Sequence, residues 1–196
     1  GSGVSTSARL YGSVRSALEG KKVLLLSLDP YVGRSGSEAE FGEYGADTVI
    51  AQIMEGRNLS MLPACISDAC GLYVPRYGSP RNPLFAMPAE ELEKLFICLE
   101  DSGDWDEVVI HMPRASRDWL DIMYMCEKRV VIFPADERAV FAQLALEELE
   151  CGSASCAGNR NYIFEPSRCE SGEAASDIYG PAGCEVRKLA KAMANG

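Results

Sequence analysis

The stretch Lys21–Pro30, KKVLLLSLDP, constrains the fold of this chain more than any other. Two lysines lead into five apolar residues, interrupted only by Ser27, and the run stops at Asp29-Pro30. Such a run is too short for most helices and has no polar face to turn toward water. It reads as a strand covered on both sides, as in a parallel sheet flanked by helices. The carboxyl ends of strands in such sheets face the ligand crevice, which makes Asp29 a candidate site residue; the plainer reading is a turn opened with Pro30.

The same grammar recurs downstream. Trp105–Met112 and Arg129–Phe133 are two further short apolar runs, the first stopped by Pro113. Between and around them the spacing predicts helices over Arg9–Leu18, Thr48–Met54, Pro88–Ser102, Ser116–Cys126, Asp136–Leu149 and Cys184–Ala194, with another over Leu59–Ile66. Gly20 and Gly103 fall where the first helix and the Pro88–Ser102 helix should end. Short strands are expected at Gly71–Val74 and Asn161–Phe164. The prolines at 75, 80, 83 and 88 predict irregular backbone, and the Gly/Ser-rich segment 31–45 predicts a surface loop. Strands alternating with helices of this length imply an α/β fold: three layers, a mainly parallel sheet, and helices on both faces. With 196 residues and 47% hydrophobic content, one domain spanning 1–196 is expected.

A net charge of −10 argues against sequence-independent nucleic-acid binding, which needs lysine and arginine to neutralise phosphates. No apolar run approaches the ~20 residues of a membrane span. The helix over Cys184–Ala194 has few large apolar residues and little basic excess, so packing on the sheet is favoured over peripheral membrane contact. Without a signal-peptide pattern at its start, the chain is expected to be cytoplasmic, with its cysteines as free thiols. Cys65, Cys98 and Cys126 sit in apolar surroundings and read as small core residues. Of the late cysteines, Cys151 and Cys156 fit the upper limit of a zinc pair's spacing while Cys169 and Cys184 do not, so no zinc is expected, although a zinc-stabilised interaction module stays as a minor alternative. Residues 1–8, GSGVSTSA, are small and hydroxylic and precede a helix, an arrangement that offers backbone N–H groups to an anion; an N-cap cluster would look the same.

Taken in order, the small-residue loop, KKVLLLSLDP, WDEVVIHMPRAS and RVVIFPADERAVFAQLALEEL resemble the MinD/ParA family of deviant Walker A (SIMIBI class) P-loop ATPases, and within it relatives of the pilus-assembly CpaE type. The likeness runs over roughly residues 1–150. It implies a P-loop NTPase-like fold and a nucleotide loop at Gly3, Val4, Ser5, Thr6 and Ser7. The family motif KGGVGK, followed by two hydroxyl residues, places its first lysine on Gly1 and its glycines on Ser2, Gly3 and Ser5. Val4 matches, the phosphate-binding lysine falls on Thr6, and the magnesium-binding hydroxyl is kept as Ser7. The two acids that end the family's next strand fall on Ser27 and Asp29, so Asp29 is kept as the catalytic candidate and, with Ser7, as a magnesium ligand. The aspartate closing the later strand falls on His111, which the plain reading treats as a satisfied histidine. In the family a strand precedes the loop, and the sheet is expected to lack that first strand in this chain. Both loop lysines and two acids are therefore replaced. The resemblance with these departures implies a degenerate ATPase-fold domain, a regulatory or scaffolding partner in a cytoplasmic assembly such as pilus, secretion or cell-surface machinery. Protein partners are implied, with a homodimer open, and ATP and magnesium are doubtful cofactors. The competing reading is an active ATP-hydrolysing enzyme that uses Ser7, Asp29 and backbone amides.

Overall fold

The computed structural model describes residues 4–32, 45–112, 119–132 and 161–164. The expected helices over Asp136–Leu149 and Cys184–Ala194, the body of the 31–45 loop, the four late cysteines and Gly3 lie outside the described residues.

Helix α1 spans Val4–Glu19 and β1 spans Val23–Ser27. Then come α2 (Ala46–Met54), β2 (Cys65–Ser67), β3 (Tyr73–Pro75), α3 (Ala89–Asp101), β4 (Glu107–His111), α4 (Trp119–Tyr124), β5 (Arg129–Ile132) and β6 (Asn161–Phe164). A four-stranded sheet runs in the order β2-β3-β1-β4, and β5 pairs in parallel with β6 in a second ladder. The strand β1 lies parallel to β4 over five residue pairs, from Val23 opposite Glu107 to Ser27 opposite His111. It also lies parallel to β3, with Leu24 opposite Tyr73. The expected α/β architecture with a mainly parallel sheet is present, and among the strands of the described residues only β2 runs antiparallel to its neighbour.

Strand alternation separates the two faces. Leu24 and Leu26 are fully buried and pack with Val49, Ile50 and Ile53 of α2 and with Leu92, Leu95 and Leu99 of α3. Val108 and Ile110 of β4 lean on the same cluster. Val23 points the other way, toward α1, as do Glu107 and His111, which meet Tyr11, Arg15 and Ser5 of that helix. Helix α1 sits close to the strands because its inner face carries small residues. A β-carbon at Gly12 would lie 2.7 Å from Leu72 Cδ1 and 3.6 Å from Val23 Cγ1. Ser7, Ser13 and Ser16 are buried on that face.

Two expectations are corrected. Helix α1 begins at Val4 rather than Arg9, so Val4–Ser7 form its first turn instead of a loop ahead of it. The hydroxyl residues are tolerated there because Ser7 is buried and Ser5 is tied to His111. The predicted helix over Leu59–Ile66 is absent: a short 3₁₀ turn at Leu62–Ala64, with Pro63 inside it, leads into β2. Local helical pattern loses here to cross-strand pairing. Asp68 accepts hydrogen bonds from the Cys70 and Leu72 amides through Oδ1 (2.9 and 3.1 Å) and folds the chain back so that Cys65–Ser67 pairs with Tyr73–Pro75. Both helix-ending glycines take left-handed backbone, Gly20 at φ 67° and Gly103 at φ 63°, as a side chain there would resist.

Leu24 is fully buried at the junction of β1, α2 and α3. Leu24→Ala is expected to lower stability by about 2–5 kcal/mol, from lost transfer energy plus the cavity left behind. Urea unfolding of both proteins measures it.

Candidate functional site

Because β1 and β4 are parallel and in register, both deliver their last residues to the same end of the sheet. Helix α1 runs back across them: Ser5 meets His111 at the carboxyl end of β4, and Arg15 meets Glu107 at its amino end, with Nε to Oε2 at 2.9 Å. The amino terminus of α1 therefore stands over the carboxyl ends of β1 and β4, where parallel sheets place ligands.

At this junction His111 is 5% exposed and both of its ring nitrogens are engaged. Ser5 Oγ lies 3.0 Å from Nε2, and Ser27 Oγ lies 3.0 Å from Nδ1. The Asp29 carboxylate is 3.9 Å from Nδ1. A carboxylate on that side favours the tautomer protonated at Nδ1, so Nδ1–H donates to Ser27 and the Ser5 hydroxyl donates to Nε2. Ser27 Oγ also accepts from the Asp29 amide at 3.2 Å. Burial disfavours the imidazolium and lowers the pKa of His111, and Asp29 offsets this only in part.

Asn82 holds the strand end from below. It is 4% exposed; its Nδ2 donates to the carbonyls of Ser27 (2.5 Å) and Asp29 (2.8 Å), and its Oδ1 accepts from the Leu84 amide (3.0 Å). The Leu28 amide donates to the His111 carbonyl at 2.8 Å and extends the β1–β4 ladder past Ser27. The Asp29 side chain remains about one-third open to solvent.

The structure thus brings together Ser5, Ser27, Asp29 and His111 from three elements. Ser7 is buried on the inner face of α1, and Thr6 points outward. None of the four side chains in the first turn, Val4 to Ser7, carries a charge. Among the described residues no group of three or more histidine, cysteine or acidic side chains converges as a metal site. Sequence reasoning treated Ser27 only as a lost acid and did not find Asn82. Ser27 could have been found from the pairing of β1 with β4, whereas Asn82 comes from a proline-rich segment whose path no periodicity reveals. His111 is the satisfied histidine that was expected. Cys65 and Cys126 are partly buried free thiols, and burial pushes the Cys65 thiol up to about 12, so it is unreactive.

No family model and no curated protein sequence matches the chain. Solved structures do. The cell division ATPase MinD of Pyrococcus furiosus superposes with a TM-score of 0.63 at 14% identity, over 100% of this chain and 94% of that one. Cobyrinic acid a,c-diamide synthase from Mycobacterium smegmatis, with bound ATP analogue and magnesium, gives 0.61 at 15% identity over 100% and 90%. The MinC:MinD cell division protein complex of Aquifex aeolicus gives 0.54 at 14% identity over 97% and 90%.

Because the His111 pKa is lowered, the unfolded chain takes up its proton first as pH falls. The sign follows: stability is full above about pH 6.5, the unfolded value, and declines below it until the folded histidine also protonates. His111→Gln should remove this component. Urea midpoints between pH 7.5 and 5.5 test it, and an unchanged slope in the variant would contradict the assignment. The layers, strand order and structural likeness agree that the chain has the MinD-like P-loop NTPase fold.

Proposed function

We propose that this is a MinD/ParA-fold domain of the CpaE-like branch whose nucleotide site has been rebuilt as a neutral hydrogen-bonded junction. It works as a regulatory or scaffolding partner of other proteins in a cytoplasmic assembly, such as pilus, secretion or cell-surface machinery. One observation carries the reading: His111, standing where the resemblance places an acid, is buried and spends both ring nitrogens on Ser5 and Ser27.

Magnesium nucleotide needs cationic groups for the phosphates and oxygen ligands, preferably carboxylate, for the metal. Here the lysine position is Thr6, one acid position is Ser27 and another is His111, an imidazole that a hard cation disfavours. Ser7, the remaining hydroxyl of that set, is buried. These donors do not fit a magnesium nucleotide. They do suit a scaffold, because a network of neutral groups holds α1, β1 and β4 together without a bound cation. Partner binding is compatible with this fold, since the Aquifex aeolicus MinD is found in complex with MinC.

The competing reading, a working ATPase, rests on Asp29, a partly exposed carboxylate at the carboxyl end of β1. Calorimetric titration with ATP and magnesium separates the two. The scaffold should give no saturable heat below about millimolar nucleotide, and micromolar affinity accompanied by turnover would sink the proposal. Asp29→Ala supplies the second arm. It should leave any residual hydrolysis unchanged, whereas an enzyme relying on that carboxylate would lose at least about tenfold.

A further inference from the structure

The junction at the carboxyl ends of β1 and β4 holds an arrangement that a structural joint alone does not require. His111 is buried, yet the serine on its Nε2 is not: Ser5 is exposed in the first turn of α1, with Oγ 3.0 Å from Nε2. On the other side of the ring Ser27 Oγ lies 3.0 Å from Nδ1. Ser27 is itself fixed, its Oγ accepting from the Asp29 amide and its carbonyl from Asn82 Nδ2. With the Nδ1 proton donated to Ser27, the lone pair of Nε2 points at a hydroxyl that solvent can reach. A nucleophile, a base within hydrogen-bond reach and a third group that orients the base are the parts that acyl transfer needs. The Asp29 carboxylate, 3.9 Å from Nδ1, lies outside hydrogen-bond reach, so the orienting group is the Ser27 hydroxyl.

We infer that Ser5, His111 and Ser27 form a serine-nucleophile site that takes up the acyl group of a small, uncharged carboxylic ester. Ser5 Oγ attacks the carbonyl carbon while His111 Nε2 takes the hydroxyl proton. The bond from that carbon to the alcohol oxygen then breaks, and the alcohol leaves with the proton from Nε2. Water releases the acyl group by the same route. Nε2 takes a proton from the water, whose oxygen bonds to the carbonyl carbon; the bond to Ser5 Oγ breaks, and Oγ recovers the proton as the carboxylic acid departs. The negative oxygen that forms in each step needs donors. Helix α1 opens at Val4, so the amides of Ser5 and Thr6 in its first turn have no intrahelical acceptor. The amides of a nucleophile and of the residue after it are suited to that task. Charge selects the substrate: the reacting side chains include no cation to hold a phosphate, and Asp29 at the solvent edge repels an acid. The inference rests on the hydrogen-bonded junction of the reading above and not on its scaffold role.

The test mixes the chain with p-nitrophenyl acetate, follows release of p-nitrophenol and locates the acetylated residue by peptide mass mapping. Ser5 should carry the acetyl group. Ser5→Ala, a change at an exposed position that leaves the core untouched, should slow release at least about a hundredfold, and His111→Gln should do the same with Ser5 no longer acetylated. Ser27 acts through His111 and is a positioning residue. Ser27→Ala should lower kcat about tenfold with KM unchanged, and Ser27→Thr, which keeps the hydroxyl, should restore it. Acetyl found only on lysines or the amino terminus, or release unchanged in Ser5→Ala, overturns the inference. A failure of Ser27→Thr to exceed Ser27→Ala overturns the role given to Ser27. The two readings of this junction fail separately: nucleotide affinity with turnover counts against the scaffold alone, and absent acylation of Ser5 against the nucleophile alone.

Discussion

The parallel pairing of β1 with β4 is the constraint on which the other features depend. Five residue pairs in register force the two strands to end together, at Ser27 and His111. The same register sorts their side chains. Leu24, Leu26, Val108 and Ile110 face α2 and α3, while Val23, Glu107 and His111 face α1. A slip of β4 by one residue would turn its side chains over, placing His111 among leucines. The apolar layer and the polar junction therefore hold the same register from opposite sides.

The junction has the chemistry of an interior joint more than that of an ion site. Neutral partners can be buried at modest cost when every donor and acceptor is matched, whereas a buried carboxylate cluster needs a cation to hold it. Ser5, Ser27, His111 and Asn82 are matched among themselves and to backbone groups, and Asp29 stays at the solvent edge. The network lies at the carboxyl ends of β1 and β4, where parallel sheets place their ligand crevice. The fold and the site can thus be read separately, and solved structures at 14–15% identity speak to the fold alone.

The helical layers are unequal for a reason visible in side-chain size. On one face α2 and α3 insert Ile, Val and Leu into a broad core. On the other, Gly12 and the buried serines let α1 come within contact of the sheet, and Arg15 and Tyr11 reach down to Glu107 at the far end. Close approach gives the first turn of α1 its position over His111.

Much of the architecture was legible from local pattern. Apolar runs closed by proline gave β1 and β4, and amphipathic spacing with terminal glycines gave α1 and α3, because burial on two faces or on one stripe leaves a direct mark on composition. The β2–β3 hairpin was not legible, since three-residue strands carry no periodicity and their pairing rests on the turn at Asp68. Nor was the start of α1, whose hydroxyl residues favour a loop until packing and His111 hold them in a helix. At the site, sequence alone picked out Asp29 and the hydroxyl run and marked His111 as a histidine with partners. Which partners it has, and that Asn82 supports them, was decided by tertiary structure. Ser5, Ser27, Asn82 and His111 are up to 106 positions apart; only strand register and helix packing bring such groups within hydrogen-bonding distance, and no local spacing encodes that.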